Sequence, residues 1–329
     1  MPDTVLVTGG AGYIGASLCQ ELLDSGVRVI ALDALVHGQE HVARELERAG
    51  VQVVRGDIRD ADARERALAG ASVVVHLAAI VGDPACARDP KLSHEVNVEG
   101  ARAMIADARA AQVDHIVFAS TCSNYGRMAD PTVPIDERGE LRPVSLYAEQ
   151  KVGIERMLLP SASGGAREPG ATRATCLRLA TVYGVAPRMR FDLTLNEFTR
   201  ELWADRPLEV FGERFWRPYV HVRDGGRAVR AVLEAPPESV DGEVFNVGST
   251  EENYRKLDLV GAIREQISAG VVSYVHREED PRDYKVSFEK IRRELDFQTT
   301  MTVPDGIREI ISALASGAYP DPYDGAYRN

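Results

Sequence analysis

The sequence predicts an α/β fold, a doubly wound parallel sheet with a smaller, interleaved α+β domain. Short apolar runs alternate with segments of helical periodicity through the first half of the chain, the pattern of a parallel sheet covered by helices on both faces. A glycine-rich turn joins the first apolar run to the first helical segment. The alternation weakens after residue 180. No low-complexity linker separates the two parts, and the sequence shows no internal repeat.

The expected elements of the first part follow one another at short intervals. The predicted strands are the apolar runs at 5–8, 28–32, 51–55, 72–77, 115–119 and 175–179. The predicted helices are the segments with apolar residues three and four apart, at 16–24, 39–49, 60–69, 92–111 and 145–159. Because the strands read as apolar on both faces, we expect the sheet to be buried between helices.

The domain assignment follows the change of pattern after the sixth strand. We assign residues 1–180 to the first domain, with 217–248 returning to it because a helical segment and an apolar run recur there. Residues 181–329 belong mainly to the second domain. Its last part, 250–329, has a mixed α+β pattern and ends in a segment rich in Tyr, Pro and Asp.

Charge and hydropathy exclude several classes of partner. The chain has 39 Lys and Arg against 50 Asp and Glu, a formal net charge of −11, so we expect no nucleic-acid partner. No apolar run approaches the roughly 20 residues of a membrane span, so we expect no membrane partner. The first strand begins near Thr4 without a basic segment or cleavage site before it, which favours a cytoplasmic protein.

The metal-binding residue types are scattered. The four cysteines are far apart and show no C-x-x-C spacing, and the seven histidines form no helical pair. We therefore expect neither a disulfide framework nor a metal site.

The glycine-rich turn predicts a dinucleotide site. Gly9, Gly12 and Gly15 stand between the first strand and the first helix, where side chains would keep a pyrophosphate from the helix N-terminus. Asp33 ends the next strand, where a carboxylate accepts a hydrogen bond from a ribose 2′-hydroxyl and repels a 2′-phosphate. The pattern therefore favours NAD over NADP.

A Tyr–Lys pair predicts proton transfer. Tyr147 and Lys151 are four residues apart at the start of a predicted helix and so share one helical face. A neighbouring ammonium, added to the charge of a nicotinamide, favours the phenolate and lowers the pKa of the tyrosine. The pair suits a general base for a sugar hydroxyl, although by itself it is also compatible with a surface pair.

These motifs resemble the extended short-chain dehydrogenase/reductase family, in its nucleotide-sugar epimerase/dehydratase branch, with UDP-glucose 4-epimerases as examples. The resemblance covers nearly the whole chain and implies a Rossmann-type sheet with NAD as cofactor. The matching segments of the first domain are 8–15 (TGGAGYIG), 56–58, 76–79, 97–100, 118–126 and 147–151.

The resemblance implies roles for individual residues. The catalytic set would be Thr121, Tyr147 and Lys151, with Thr121 hydrogen-bonded to the reacting sugar oxygen. Residues expected to contact the cofactor are Gly9, Gly12, Tyr13, Ile14, Gly15, Asp33, Asp57, Ile58, Leu77, Ala78, Ala79, Asn97, Tyr147 and Lys151. Residues expected to contact the substrate are Thr121, Ser123, Thr181, Arg188, Arg190, Asn196, Arg217, Arg277 and Arg282.

The sequence departs from the family pattern at several of these places. Cys122 and Ser123 stand where 4,6-dehydratases carry Asp-Glu, which disfavours elimination. Cys122 is compatible with acid/base work or with a small buried residue. Thr181 replaces a common Asn. Arg188 and Arg190 could meet a carboxylate or an extra phosphate, or brace their loop. For Arg217, Arg277 and Arg282, diphosphate binding competes with plain surface ion pairs.

The function that these features predict is NAD-dependent epimerisation of a nucleoside-diphosphate sugar through a 4-keto intermediate, with NAD tightly bound and regenerated in each turnover. The alternatives are C3/C5 epimerisation, dehydration or decarboxylation through the same ketone, and an NAD(P)H-dependent reductase. A non-catalytic NAD-binding protein is a further class. The resemblance also implies a homodimer formed by the helices at 92–111 and 145–159.

Overall fold

The structure is a computed structural model that describes residues 1–128, 130, 133–159, 171–276 and 282–329. Its strands, in chain order, are β1 (Thr4–Thr8), β2 (Arg28–Asp33), β3 (Gln52–Arg55), β4 (Val73–His76), β5 (His115–Thr121), β6 (Arg173–Leu179), β7 (Thr181–Tyr183), β8 (Leu208–Phe211), β9 (Trp216–His221), β10 (Val244–Val247), β11 (Asn253–Arg255) and β12 (Val272–Val275).

Helices cover the sheets and connect the strands. They are α1 (Tyr13–Asp24), α2 (Glu40–Ala49), α3 (Ala61–Leu68), α4 (Asp83–Arg88), α5 (Pro90–His94), α6 (Ala101–Ala110), α7 (Leu146–Leu158), α8 (Thr194–Trp203), α9 (Val222–Glu234), α10 (Pro237–Val240), α11 (Lys256–Arg264), α12 (Glu289–Leu295) and α13 (Val303–Ala315). In the part of the chain that the structure describes, none of them is long and apolar enough to cross a membrane.

The central sheet has seven parallel strands in the order β10-β6-β5-β4-β1-β2-β3. In β1, Val5 pairs with Val29 of β2 on one side and with Val73 of β4 on the other. The chain builds outward from β1 to β3 and then crosses to β4, so the strand order reverses between β1 and β4. In a doubly wound sheet, ligands bind at the carboxyl ends of the strands beside such a reversal. The predicted α/β fold with a Rossmann-type sheet is confirmed.

One predicted helix contains a wider turn in its middle. The segment at 92–111 consists of α5, a π-helical turn (Glu95–Gly100) and α6. Within the turn the side chain of Asn97 bonds to the backbone of Ile80, so this residue serves a neighbouring loop as well as its own helix. The continuous helix expected from periodicity is present, since helical backbone runs from α5 through α6, but its middle is wound as a wider π-helical turn.

The second part of the chain carries two small sheets. β9 lies between β7 and β11 in a three-stranded sheet, and β12 pairs with β8 in a two-stranded one. Residue 217 lies in β9, which belongs to this second part. The chain therefore returns to the large sheet at α9 and not at residue 217. α9 packs against α1, and β10 then adds an outer strand next to β6.

A hydrophobic cluster joins the two parts close to the glycine-rich turn. Tyr13 of α1 packs there with Phe191, which precedes α8, and with Ile310 of α13. Tyr319 and Tyr327 cover the same cluster from the outside. The start of α1 is thus held by residues that lie far away in the sequence.

Candidate active site

The glycine-rich turn is packed so closely that it excludes side chains. Gly9 has φ +71°, and a Cβ placed on it would lie 3.0 Å from the Cα of Ala78. A Cβ on Gly15 would lie 2.1 Å from the carbonyl oxygen of Gly9. Gly12 precedes α1 without a side-chain cap, so the first N–H groups of the helix remain available to an anion. This cradle fits the pyrophosphate of a dinucleotide.

Asp33 at the end of β2 is held against this turn. Its Oδ2 accepts a hydrogen bond from the Ala11 N–H (2.9 Å), and its Oδ1 accepts one from the Leu35 N–H (2.8 Å). Burial raises the pKa of the carboxyl, while these two backbone donors and the charge of Arg188 lower it. The carboxylate is thereby oriented beside the glycine cradle, where the ribose of a dinucleotide bound there would lie.

The loop after β4 lies directly beside the glycine-rich turn, at the carboxyl ends of the strands, where the nucleotide crevice of such a sheet lies. Leu77, Ala78 and Ala79 are half-buried there, and the N–H groups of the first two donate to the Thr8 hydroxyl, each at 3.2 Å. Asn97 was predicted to contact the cofactor, but its amide accepts from the Ile80 N–H (2.7 Å) and donates to the Ile80 carbonyl (2.9 Å). Its contact is therefore with the loop that borders the crevice.

Four other predicted cofactor residues are engaged within the protein. The Asp57 carboxylate pairs with Arg59 at 2.7 Å, which lowers the pKa of Asp57, and Ile58 is buried. The Tyr13 hydroxyl donates to the Gly184 carbonyl (2.6 Å), so this side chain reaches the second part of the chain. Ile14 packs partly on the same hydrophobic cluster as Tyr13.

The predicted catalytic residues lie on two neighbouring elements. Thr121 ends β5, Tyr147 lies in the first turn of α7, and Lys151 follows one turn later. Ser145 begins the helix by accepting a hydrogen bond from the Ala148 N–H at 3.3 Å. The Lys151 ammonium donates to the Ala119 carbonyl at 2.8 Å and lies 5.8 Å from the ring centre of Tyr147.

Burial dominates the ionisation of the Tyr147–Lys151 pair in the protein by itself. Burial raises the pKa of Tyr147, and Cys86 and Asp83 raise it further, whereas Arg190 lowers it. Burial also lowers the pKa of Lys151 to about 8. In the protein by itself burial outweighs the charge of Arg190; the predicted depression of the tyrosine pKa also requires the charge of nicotinamide and stays a prediction.

The residues after Thr121 contain no carboxylate. The Thr121 hydroxyl accepts a hydrogen bond from the Ser123 N–H (3.1 Å), and the Ser123 hydroxyl lies 3.4 Å from the Tyr284 hydroxyl. Cys122 is 1% exposed and its thiol donates to the Arg178 carbonyl at 3.2 Å. Burial raises the pKa of this thiol well above its usual value. Of the two interpretations of Cys122, the geometry favours a small buried residue.

The arginines predicted to bind diphosphate occupy different surroundings. Arg217 of β9 is buried, donates to the Trp216 carbonyl (2.6 Å) and lies over the Tyr284 ring at 5.3 Å. Arg282 forms an ion pair of 2.6 Å with Asp83 at the start of α4. Arg277 lies outside the described residues. Thr181 begins β7 and is half-buried.

Asn196 does not fit the predicted diphosphate contact. Its side chain is 0% exposed. The amide oxygen accepts from the Gly184 N–H (3.0 Å), and the amide nitrogen donates to the Tyr13 hydroxyl (3.1 Å) and the Arg190 carbonyl (2.8 Å). Every polar atom of the amide is thus used inside the protein, and the prediction was wrong because such long-range partners leave no mark in the sequence.

Arg188 and Arg190 also have partners within the protein. The Arg188 guanidinium donates to the Asn329 side chain (2.7 Å) and the Arg328 carbonyl (2.9 Å). Arg190 forms a two-point pair with Asp192, at 3.0 and 2.6 Å. Of the alternatives for these arginines, bracing of the loop describes their observed contacts. Sequence reasoning missed these partners, although the Tyr-rich composition of residues 319–329 was a signal that the segment could pack.

Metal-ligating residues are not gathered at this site. Within the ranges that the structure describes, no group of three or more His, Cys, Asp or Glu side chains is placed to hold a metal ion. The candidate site consists instead of the glycine cradle, Asp33 and Thr121 at the carboxyl ends of β1, β2 and β5, with Tyr147 and Lys151 on the neighbouring α7.

Comparison with known proteins agrees with this geometry. The NAD dependent epimerase/dehydratase family matches residues 5–248. The chain is similar to a UDP-glucose 4-epimerase of Rhizobium leguminosarum bv. trifolii, with 29% identity over 84% of this chain and 86% of that protein. It is also similar to a dTDP-glucose 4,6-dehydratase of Streptomyces griseus, with 30% identity over 95% and 94% of the two chains. The solved UDP-glucose 4-epimerase of Thermus thermophilus, in complex with NAD, superposes with a TM-score of 0.82 at 27% identity, covering 95% of this chain and 99% of that one.

The chain therefore belongs to the NAD dependent epimerase/dehydratase family. NAD is its cofactor, and nucleotide sugars are its class of substrate.

Proposed function

We propose that the protein is a 4-epimerase of a nucleoside-diphosphate sugar. The observation that carries the proposal is the arrangement of Thr121, Tyr147 and Lys151 beside the cofactor crevice, with buried Cys122 and half-buried Ser123 in place of carboxylates. This set provides proton transfer at one sugar hydroxyl and no dedicated acid/base pair for the neighbouring carbons.

The proposed roles follow from the chemistry of each side chain. Tyr147 accepts the proton of the C4 hydroxyl and returns it, while the Thr121 hydroxyl holds the reacting oxygen. Lys151 supplies positive charge next to Tyr147, held in place by its bond to the Ala119 carbonyl (2.8 Å). The glycine cradle and Asp33 would hold NAD, which would supply reversible hydride transfer at C4, so that no net oxidation would result.

The surroundings of Cys122 support epimerisation over elimination. Removal of water next to a ketone needs one group to take a proton and another to protonate the leaving oxygen. A thiol whose pKa burial has raised, and whose hydrogen goes to the Arg178 carbonyl at 3.2 Å, is poorly suited to either task. Ser123 lacks a charge and cannot replace it. We therefore place dehydration second, although a dehydratase is among the relatives.

The diphosphate of the substrate would be held by arginine. Arg217 is buried on β9, and a buried guanidinium presents paired donors that match phosphate oxygens. Arg282 is paired with Asp83 at 2.6 Å, so it would have to leave this carboxylate in order to bind a phosphate. In this proposal both arginines bind the diphosphate, and Arg282 exchanges Asp83 for it.

A homodimer belongs to the same proposal. The exposed side of α6 and α7 carries small residues, Ala106 and Gly153 among them, which would allow two copies to pack closely. Light scattering coupled to size-exclusion chromatography should give twice the mass of 36.0 kDa. A single-chain mass at micromolar concentration would contradict the dimer.

The decisive experiment follows the carbon-bound hydrogens of the sugar. The purified protein is incubated with NAD and a panel of UDP-, dTDP-, GDP- and CDP-sugars in D₂O, and the products are separated and weighed. An isomer without deuterium is expected, because the hydride at C4 stays on the enzyme. Deuterium uptake, or loss of water or carbon dioxide, would instead identify chemistry on the carbons beside the ketone.

Replacement of Tyr147 separates proton transfer from binding. Tyr147→Phe should lower kcat by about 10²–10⁴-fold, since it removes the general base but little of the surface. NAD affinity measured by calorimetry should change little. Cys122→Ala is the matched control and should retain most of the activity. Wild-type turnover in Tyr147→Phe would remove the proposed mechanism, and an inactive Cys122→Ala would return the thiol to acid/base chemistry.

A further inference from the structure

Gln150 is a buried amide between the two residues of the Tyr–Lys pair. It follows Tyr147 by three positions and directly precedes Lys151 in α7, and it is 6% exposed. Its Oε1 accepts hydrogen bonds from the Asn97 amide at 2.8 Å and from the Ser93 hydroxyl at 2.9 Å. Both donors belong to the helical segment formed by α5 and the π-helical turn. The Gln150 side chain therefore ties α7 to that segment.

The hydrogen bonds continue from Asn97 to the loop after β4. Asn97 Oδ1 accepts from the Ile80 N–H at 2.7 Å, and its Nδ2 donates to the Ile80 carbonyl at 2.9 Å as well as to Gln150. Ile80 follows Ala78 by two positions, and Ala78 lies against the glycine-rich turn, since a Cβ on Gly9 would come within 3.0 Å of its Cα. Direct hydrogen bonds thus connect the loop beside that turn with the helix that carries the Tyr–Lys pair.

The nitrogen end of the same amide is unsatisfied. Nε2 of Gln150 is buried and has no hydrogen-bond partner among the residues that the structure describes. A buried N–H without an acceptor destabilises a folded protein, and an apolar side chain of similar length, such as methionine, would avoid this cost. The bonds to Asn97 and Ser93 are all made by the oxygen, which points to the oxygen as the atom that serves a purpose.

We propose that Gln150 is a positioning residue that acts through Asn97. It fixes α7 relative to the loop after β4, so that Tyr147 is aligned with the reacting sugar hydroxyl. Proton transfer depends steeply on alignment, and a displacement of about 1 Å can lower a rate about 10²-fold. Lys151 has its own bond to the Ala119 carbonyl at 2.8 Å, so loss of the Gln150 bonds would shift the helix without releasing the ammonium. The inference rests on the proposed role of Tyr147 and does not depend on which sugar or which carbon reacts.

The test compares chemistry with binding in Gln150→Met, which keeps the length of the side chain but removes the accepting oxygen. The full chain with NAD is mixed, in excess, with the sugar of the panel on which the wild type acts fastest, and the product of a single turnover is timed. The rate should fall about 10–10²-fold. The dissociation constant of NAD, measured by calorimetry, should stay unchanged, because Asn97 still holds Ile80. The calorimetric stoichiometry counts the molecules that bind NAD, so each rate refers to folded protein.

Asn97→Ala separates the two ends of this connection. It frees Ile80 as well as Gln150, so the single-turnover rate and the NAD affinity should both fall. Because the two side chains act through one series of bonds, Asn97→Ala/Gln150→Met should react no more slowly than Asn97→Ala alone. Thr199→Val is the control for the loss of a buried hydrogen bond. It removes the bond from the Thr199 hydroxyl to the Leu195 carbonyl (2.8 Å) within α8, and its rate should equal that of the wild type.

The outcomes distinguish the inference from the proposed function. Turnover by Tyr147→Phe at the wild-type rate would remove the proposed function and the inference with it. An inactive Tyr147→Phe together with a wild-type single-turnover rate in Gln150→Met would overturn the inference alone. Additive rate losses in the double variant would overturn the path through Asn97. If unfolding temperatures show that Gln150→Met does not fold, Ser93→Ala/Gln150→Met, which leaves fewer buried donors unpaired, takes its place with the same expected rates.

Discussion

Asp33 shows how one carboxylate serves two purposes. It orders the glycine turn through the Ala11 N–H (2.9 Å) and the loop after β2 through the Leu35 N–H (2.8 Å). The same negative charge would repel a 2′-phosphate on an incoming dinucleotide. The side chain that orders these two loops is therefore also the one that we propose selects the cofactor.

We predict that Asp33→Asn weakens the preference for NAD over NADP. The amide keeps one acceptor oxygen for the backbone but loses the charge, so NAD affinity should fall and the ratio of the two dissociation constants should shrink about tenfold or more. Calorimetric titration with both dinucleotides measures this ratio. Glu40→Gln, which alters an exposed carboxylate paired with Arg55 at 2.9 Å, is the control and should leave it unchanged. An unaltered ratio in Asp33→Asn would mean that another residue selects the cofactor.

The sequence predicted the arrangement of those residues whose partners are close neighbours in the chain. Gly9, Gly12 and Gly15 lie within one turn, and Tyr147 and Lys151 lie on one helical face, so spacing alone indicates their arrangement. Asn196 and Arg188 depend instead on partners more than 130 positions away, Tyr13 and Asn329. No local pattern predicts such partners, and the roles assigned to those two residues differed accordingly from their contacts.

At the scale of elements, α7 owes its position to a buried polar network. Glu155 of α7 accepts hydrogen bonds from Arg178 of β6 at 2.7 Å, from Asn124 at 2.9 Å and from Ser120 of β5. Arg178 also donates to the Tyr125 hydroxyl at 3.0 Å. The helix that carries the Tyr–Lys pair is thereby tied to the two strands behind it.

Breaking this network should destabilise the protein strongly. Glu155→Gln leaves the charge of Arg178 buried and uncompensated, and we expect the free energy of unfolding to fall by about 3–5 kcal/mol. Urea unfolding followed by circular dichroism measures the change. The control is Glu99→Gln, which breaks an exposed pair with Arg102 of 3.2 Å and should cost less than about 1 kcal/mol. Equal losses of unfolding free energy for the two substitutions would show that the buried pair stabilises the protein no more than the exposed pair.

Periodicity predicted most elements but not their irregularities. The strands expected at 28–32 and 115–119 differ only at their ends, since they span 28–33 and 115–121 in the structure. The helix at 92–111 is continuous as expected but irregular in its middle, where its π-helical turn coincides with the bonds between Asn97 and Ile80. A tertiary contact of this kind overrides a pattern that reads as one regular helix.

At the scale of the whole molecule, His76 makes stability depend on pH. The Thr8 hydroxyl accepts hydrogen bonds from the Leu77 and Ala78 N–H groups (3.2 Å each) and lies 2.8 Å from His76 Nδ1, so it donates its own hydrogen to a neutral imidazole. Burial, aided by the charge of Lys151, lowers the pKa of His76 to about 3.

Acid should therefore unfold the protein partly through this residue. The unfolded chain binds a proton at His76 below its ordinary pKa of about 6.5 while the folded protein does not, so stability falls as the pH drops from about 6.5 towards 3. Between pH 7 and 4.5 His76 should account for a loss of about 2–3 kcal/mol in urea unfolding. His76→Asn keeps an acceptor for Thr8 and should remove that part of the loss. His94→Asn, at an exposed histidine, is the control and should show the same loss of stability as the wild type. Identical pH profiles for His76→Asn and the wild type would refute the assignment to His76.

The position of β10 has a consequence for any attempt to divide the chain. β10 comes from residues 244–247, yet it covers the outer side of β6, six of whose seven residues are buried. A fragment that stopped at residue 180 would leave β6 as an unpaired, apolar strand edge, open to strands of other molecules. The nucleotide-binding half would then aggregate when produced alone, because β10, the strand that covers this edge, comes later in the sequence than residues of the other half.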